Sequence, residues 1–254
     1  MKLFVTDLDG TLVERNELSV ENLEAVKKLN SSEALLAVAT GRPYNNCTFL
    51  KEKYGINIDY LILLNGGLII NNEGKVVHHK SISYKVVKDI VEDVKGDNSI
   101  IALETGYATY AVHGRYEGDM SWNGLKYEAL ENIKDENLSL ISIYYPKSTI
   151  EEVDLVCRNI NQKYLGDVVA YRNTCFIDVV PVGCSKGEGI SYIKEREALH
   201  KDDIYAIGDS YNDISMFKKA GHSFTFENVE DGIKKEADYV VSSVAEAIKN
   251  YCLK

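Results

Sequence analysis

Asp7 and Asp9 stand two residues apart in Asp7-Leu8-Asp9-Gly10-Thr11, directly after the apolar run Lys2-Leu3-Phe4-Val5-Thr6. That run reads as a buried strand, so both carboxylates fall where the strand should stop. In an open parallel sheet this is the edge where ligands bind. Two anions held side by side are unfavourable unless protons or a cation compensate them. A divalent ion would do so, and hard oxygen ligands suit Mg²⁺. Gly10 lets the backbone turn sharply, and Thr11 adds a hydroxyl able to cap a turn. Asp-Gly is also an ordinary turn dipeptide and Asp an ordinary helix cap, so the pentapeptide alone leaves catalysis and a purely structural turn open. An EF-hand calcium loop fits poorly, because that pattern wants Gly sixth and Glu twelfth. Counted from Asp7, the glycine comes fourth and the twelfth residue is Leu18.

The flanking chain supplies a frame for such a site. Ser19 is placed to cap a helix to about Asn30, with Val20, Leu23, Val26 and Leu29 as its apolar stripe. Ala34 to Ala39 reads as a second buried strand, ending in Thr40-Gly41-Arg42. Pro43 then suits the first turn of a helix that should stop at Gly55. Tyr60 to Leu64 is a third strand, ending in Asn65-Gly66-Gly67. Strands alternating with helices imply a parallel sheet covered on both faces.

From Leu68 the rhythm changes. Leu68–Ile70 and Val76–Val77 flank a hairpin turn at Asn71-Asn72-Glu73-Gly74, and Tyr84 to Lys95 is an amphipathic helix closed by Gly96. Ser99–Leu103 and Tyr107–Val112 form another hairpin around Glu104-Thr105-Gly106, and Leu138–Tyr145 is a strand. Ser148 with Glu151 forms a capping box for a helix to about Tyr164, and Val168–Tyr171 pairs with Phe176–Val180. No element is assigned to Gly114–Glu136. The alternation returns at Ser185, which starts a helix. A buried strand at Ile204–Ile207 then ends in Gly208-Asp209-Ser210-Tyr211-Asn212-Asp213. A helix to about Ala220, short strands at Ser223–Phe226 and Tyr239–Val241, and a helix from about Val244 complete the chain. The fold class expected is α/β: a Rossmann-like parallel-sheet core from residues 1–80 and 182–254, with an α+β unit inserted at 81–181.

The 254 residues suffice for one large or two modest domains, and the apolar content of 45% allows a real core. A net charge of -10 argues against nonspecific nucleic-acid binding, which relies on clustered Lys and Arg. No apolar run approaches a membrane span, and the opening strand does not read as a signal peptide. Cys47, Cys157, Cys175, Cys184 and Cys252 are scattered and odd in number, as in reduced thiols of a cytoplasmic protein. Cys184 adjoins the Lys186 motif but reads as small filler.

Asp7/Asp9, Thr40, Lys186 and Asp209/Asp213 together are what phosphoryl transfer needs. Carboxylates hold Mg²⁺, a Lys and a hydroxyl hold the phosphate, and one carboxylate attacks phosphorus. Asp209 and Asp213, four apart at a strand-to-helix turn, can face one point. In this ordered set the chain resembles the haloacid dehalogenase superfamily, specifically its Cof-like subclass IIB phosphatases. The resemblance rests on Asp7-Leu8-Asp9-Gly10-Thr11, Thr40-Gly41-Arg42, Ser185-Lys186-Gly187 and Gly208-Asp209-Ser210-Tyr211-Asn212-Asp213. Asn65-Gly66 and Ile177-Asp178-Val179-Val180-Pro181-Val182-Gly183 also resemble family segments. The chain departs from the family after Ala220-Gly221, where Phe224-Thr225-Phe226-Glu227-Asn228-Val229 stands.

The resemblance implies that Asp7 is a nucleophile forming an aspartyl-phosphate and that Asp9 is the acid and then the base. It implies Mg²⁺ on Asp7, the Asp9 main-chain carbonyl and Asp209, with Asp213 in support. Phosphate would be bound by Thr40, Gly41 and Lys186, with Asn212 nearby. The inserted unit would be a cap that covers the site and selects the substrate. The implied activity is Mg²⁺-dependent hydrolysis of small phosphorylated metabolites, sugar phosphates among them, by a monomer or small homo-oligomer. Alternatives are a sugar phosphomutase using the same intermediate and a metabolite-binding regulator without turnover. A dehalogenase is disfavoured because those relatives lack the second carboxylate that Asp9 supplies.

Taken singly, several of these residues have plainer roles. Lys186 is not in a P-loop, since the glycine spacing is absent, and Thr40 alone could cap the next helix. His78-His79 lacks partner ligands at site-like spacing and reads as a hairpin pair. Tyr107, Tyr110, Tyr116, Trp122 and Tyr127 crowd the inserted unit and could stack on an aromatic substrate such as a pyridoxal or flavin phosphate, but core packing and hairpin pairs explain most of them better.

Overall fold

The computed structural model describes residues 1–116 and 124–254. In chain order, β1 (Leu3–Asp7) leads through a loop to α1 (Val20–Asn30), then β2 (Leu35–Ala39), α2 (Phe49–Glu52), β3 (Tyr60–Leu63), β4 (Leu68–Asn71) and β5 (Val76–His79). The inserted stretch holds α3 (Tyr84–Val94), β6 (Ile100–Glu104), β7 (Thr109–His113), β8 (Leu125–Tyr127), β9 (Leu140–Tyr144), α4 (Ile150–Lys163), β10 (Val168–Asn173) and β11 (Phe176–Pro181). The chain ends with α5 (Lys186–Arg196), β12 (Ile204–Ile207), α6 (Ile214–Lys219), β13 (His222–Thr225), α7 (Asp231–Lys234), β14 (Tyr239–Val240) and α8 (Val244–Ala247).

Among the described residues the strands form two sheets. One has the order β14-β13-β12-β1-β2-β3-β4-β5 and the other β10-β11-β9-β6-β7-β8. In the first, β1 lies between β12 and β2, and the ladders from β14 to β3 are parallel. β4 and β5 extend it antiparallel. Strand β1 is buried along its whole length, as a strand covered on both faces must be. Two apolar clusters cover this sheet: Phe4, Leu8, Val38 and Val244 belong to one, Leu3, Val5, Ile193 and Met216 to the other. The second sheet is largely antiparallel and packs on α3 and α4 through Val87, Ile90, Val153 and Ile160. The fold is thus a Rossmann-like core with an inserted α+β unit, here called the cap.

Several expected boundaries shift, each for a local reason. The capping box at α4 uses Thr149 and Glu152, one residue later than Ser148 and Glu151. Ser148 instead accepts from Asn98 Nδ2. The helix expected from Pro43 to Gly55 is broken into a 3-10 turn at Tyr44–Asn46 and the short α2. Tyr44 N–H donates to the Gly106 carbonyl of the cap and Asn45 Nδ2 to Tyr107 O, so tertiary bonds replace part of the helix ladder. The helix after Asp213 opens with a 3-10 turn at Tyr211–Asp213 and stops at Lys219. Residues 124–136, given no element from the sequence, contain β8, which adds parallel to β7, and a 3-10 turn at Leu130–Ile133. Trp122 lies outside the described residues.

Arg172 on β10 ties the cap to the core. Its side chain is 8% exposed; Nε donates to Asp154 Oδ1 at 2.6 Å, and Nη2 lies 3.6 Å from Glu230 Oε1. Its guanidinium carbon is 4.9 Å from the ring centre of Tyr211. Asp154 belongs to the cap, whereas Tyr211 and Glu230 belong to the core. An Arg→Lys exchange does not reproduce a guanidinium that is both stacked and paired. Arg172→Ala and Arg172→Lys should both lower stability, by about 1–2 kcal/mol, the scale of one charged hydrogen bond plus a cation–π contact. Thermal unfolding checks this: a melting temperature lowered by several degrees is expected, and an unchanged one would show that the tie contributes nothing.

Candidate active site

Asp7 is the last residue of β1, Thr40 follows β2, Asn65 follows β3, and Asp209 lies two residues beyond β12. All four therefore stand at the carboxyl edge of adjacent parallel strands. Lys186 arrives from another direction, as the first residue of α5. Ser185 caps that helix by accepting from Glu188 N–H. The close approach of α5 to the Asn65-Gly66 loop requires glycine. Gly66 has φ +93°, and a Cβ there would fall 2.3 Å from the Ser185 carbonyl oxygen. Gly10, with φ +80°, turns the chain after Asp9 and leaves room for Asp209 Oδ2, 2.7 Å from where its Cβ would be.

Lys186 Nζ is 2.5 Å from Asp7 Oδ1 and 2.6 Å from Asp213 Oδ1. All three side chains are buried. Asp213 Oδ2 accepts the backbone N–H groups of Asp209 and Ser210, each at 2.9 Å, which fixes the loop carrying Asp209. Thr11 Oγ1 donates to Asp209 Oδ1 at 2.5 Å. Asp7, Asp209 and Asp213 each offer a carboxylate oxygen within 4.8 Å of the others.

The electrostatics follow from this crowding. Burial pushes the Asp7 carboxyl well above the usual range, Lys186 pulls it back, and Asp213 and Asp209 push it further up. Asp209 is raised by burial and then by Asp213. Burial alone would lower Lys186, but Asp213 and Asp7 outweigh it and hold the amine protonated. Three carboxylates against one ammonium leave net negative charge, and the donor atoms are all hard oxygens. The residues present fit a divalent cation such as Mg²⁺.

Thr40 is buried and lines the same cavity as Asp7 and Lys186, with Gly41 beside it. Its hydroxyl also accepts from Arg42 N–H at 3.1 Å, which fixes the turn after β2; it does not cap the next helical turn, which starts at Tyr44 behind Pro43. Asn212 is buried; its Nδ2 donates to Asn65 Oδ1 at 3.2 Å, while its Oδ1 is buried with no hydrogen-bond partner among the described residues. Asp9 is exposed, and its carboxylate is gripped by Arg42, with Nε 2.7 Å from Oδ2 and Nη2 on Oδ1. The Asp9 carboxylate is thus outside the acid cluster, and only its main-chain carbonyl remains for the expected metal set.

The cavity measures about 930 Å³ and is roofed by the cap residues Glu104, Tyr116, Leu140, Ser142, Phe176 and Asp178. The sequence assigns none of them to the site, and only Tyr116 is among the aromatics weighed for stacking on a substrate. Asp178 was visible inside the segment Ile177–Pro181, and Glu104 was read only as part of a hairpin turn. The tie of Arg42 to Asp9 was likewise not foreseen. The divergent segment after Gly221 lies beside this cavity: Phe224 and Thr225 are buried in β13, and Phe226 and Asn228 line an adjoining groove together with Thr11 and Asp209. His79 Nε2 bonds Ser139 Oγ at 2.8 Å and His78 packs on Tyr192, away from the acid cluster. Cys184 is buried filler whose thiol burial pushes up to about 11.

Residues 4–249 match the profile of the haloacid dehalogenase-like hydrolases. A 5-amino-6-(5-phospho-D-ribitylamino)uracil phosphatase of Bacillus subtilis, YwtE, is 26% identical over 274 residues, covering 96% of this chain and 93% of its own. Among solved structures, a haloacid dehalogenase-like hydrolase from B. subtilis superposes with a TM-score of 0.88 at 23% identity, covering 99% of this chain and 100% of that one. The subclass IIB sugar phosphatase BT4131 superposes with a TM-score of 0.83 at 21% identity over the whole of both chains. The chain belongs to the haloacid dehalogenase-like hydrolases and is a phosphatase-type enzyme of that family.

Proposed function

We propose that the protein hydrolyses small phosphorylated metabolites, sugar phosphates among them, in two steps through a phosphoryl group carried on Asp7. The observation that carries this reading is the contact of Lys186 with both Asp7 and Asp213 at the mouth of parallel strands, inside a cavity closed by the cap. The reduced-thiol pattern supports a cytoplasmic setting.

Asp7 attacks phosphorus, because it is the carboxylate that Lys186 orients from the end of β1. Lys186, the Thr40 hydroxyl and the amide of Asn212 stabilise charge on the transferring phosphoryl group. Asp7, the Asp9 carbonyl and Asp209 would hold Mg²⁺, with Asp213 orienting the loop. When bound, the ion offsets the negative charge of the carboxylates and of the incoming phosphate. Asp9, once released from Arg42 and protonated, gives its proton to the departing oxygen, and the carboxylate so formed afterwards takes a proton from the attacking water. The cap excludes bulk water from the first step.

Two outcomes test the assignment. Phosphate release from p-nitrophenyl phosphate should require Mg²⁺, stop on chelation, and fall by about 10³-fold or more in Asp7→Asn, the scale of losing a nucleophile. Turnover retained in that variant would reject Asp7. In Asp9→Asn, the aryl leaving group needs little acid help, whereas hydrolysis of the phosphoenzyme still needs the base. Rapid-mixing kinetics should then give a burst of about one nitrophenolate per enzyme before slow turnover. Slowed turnover with no burst would argue against Asp9 as the base of the second step.

A further inference from the structure

The strands of the cap sheet alternate with period two. Ile101, Leu103, Ile141, Ile143, Ile177 and Val179 are buried in the cluster shared with α3 and α4. The residues between them face the other way. Glu104 on β6, Ser142 on β9, and Phe176 and Asp178 on β11 line the reaction cavity together with Asp7, Thr40 and Lys186. A sheet face that looks onto the phosphate site therefore carries two carboxyl groups that the phosphorus chemistry does not use.

Each is held in place. Thr109 Oγ1 donates to Glu104 Oε2 at 2.7 Å, and Glu104 is 6% exposed. Asn65 Nδ2 donates to Asp178 Oδ2 at 2.9 Å. Asn65 in turn bonds Asn212, so the roof is connected to the loop that carries Asp209 and Asp213. Gly41 leaves the space that Asp178 occupies, since a Cβ there would be 3.0 Å from Asp178 Oδ2. Burial pushes the Glu104 carboxyl up to about 8; its bond from Thr109 pulls it down and Asp178 pushes it up. Burial raises Asp178 to about 6, with Asn65 and Lys186 restraining the rise. Near neutral pH the roof thus offers an O–H donor at Glu104 and an anionic acceptor at Asp178.

We propose that Glu104 and Asp178 read the leaving group of the substrate, and that they select a neutral polyhydroxylated one over one carrying a second anion. This rests on the phosphatase reading above. A hydroxyl both accepts and donates, so it satisfies either residue, and a buried carboxyl left without a partner is costly. A second anion would meet like charge at Asp178, which discriminates against it by repulsion. Among the described residues, two of the three cations lining the cavity are already paired. Lys186 is engaged by Asp7 and Asp213, Arg42 by Asp9, and Arg15 is an exposed residue shared with the neighbouring groove. Strand β9 separates β6 from β11, with Leu140 opposite Glu104 and Ser142 opposite Asp178. Two strand spacings and the two-residue offset along β9 put their backbones about 12 Å apart, a separation suited to different hydroxyls of one chain rather than to a single hydroxyl.

The test uses the full chain with Mg²⁺ and compares kcat/KM for ribitol 5-phosphate, 2-phosphoglycolate and p-nitrophenyl phosphate. The polyol phosphate should exceed phosphoglycolate by about tenfold or more, the scale of one hydrogen bond to a charged group. Glu104→Ala should lower the ratio of polyol to aryl kcat/KM by about tenfold, and Glu104→Gln, a neutral donor, should restore most of it. Asp178→Asn should narrow the discrimination against phosphoglycolate. Equal losses on polyol and aryl substrates in Glu104→Ala, or phosphoglycolate preferred by the wild type, would overturn the proposal while leaving the phosphatase reading standing. Should Glu104→Ala fail to fold, unchanged discrimination in Asp178→Asn would overturn it as well. No release from p-nitrophenyl phosphate by the wild type would instead overturn the phosphatase reading itself.

Discussion

Lys186 is buried between Asp7 and Asp213, and the surrounding architecture has to accommodate that contact. A buried ammonium with no counter-charge would lose its proton, and two buried carboxylates with no cation would gain one. Burial acts against the charged forms of Asp7 and Lys186, and their contact works in the opposite direction on both. Removing one partner from such a cluster leaves an uncompensated buried charge, which typically costs about 3–5 kcal/mol. The positions of β1, α5 and the β12–α6 turn are therefore tied to one another through this contact. Asp209 adds a further carboxylate close by and makes an already negative cluster more negative.

The rest of the core serves to deliver those groups to one point. Parallel strands bring Asp7, Thr40, Asn65 and Asp209 to a common edge without any of the chain segments being close in sequence. Asp213 reaches back to two backbone N–H groups of its own turn, so the loop is closed by the side chain that Lys186 holds. The cap then completes the cavity from above. Its sheet is apolar toward α3 and α4 and polar toward the site. Among the links that join it to the core near the chemistry are Arg172 against Tyr211 and Glu230, and Asp178 against Asn65. Through both, the position of the cap is coupled to the loops that hold Asp209, Asp213 and Asn212.

Much of this was legible in the sequence because the relevant signals are local. Apolar runs ending in Asp, Thr or Asp again mark buried parallel strands and their functional edge, and Ser19 and Ser185 mark helix starts by capping. What was not legible depends on distant parts of the chain. The segment after Pro43 has the composition of a helix, yet Tyr44 and Asn45 bond to the cap hairpin instead. Glu104 has the look of a turn residue, and only the pairing of β6 with β9 turns it toward the cavity. Arg42 was quoted as part of a motif, but its grip on Asp9 spans 33 residues and no spacing rule announces it. The capping box slipped by one residue because Ser148 and Thr149 are both competent caps and only one can be used.

The account stands on the acid cluster being short of positive charge. Thermal unfolding with and without millimolar Mg²⁺, in the wild type and in Asp209→Asn, tests this without reference to any substrate. A ligand that binds only the folded state raises the melting temperature. The account predicts a rise with Mg²⁺ in the wild type that largely disappears in Asp209→Asn. The same melting temperature with and without the ion in the wild type, or an equal rise in both proteins, would contradict it.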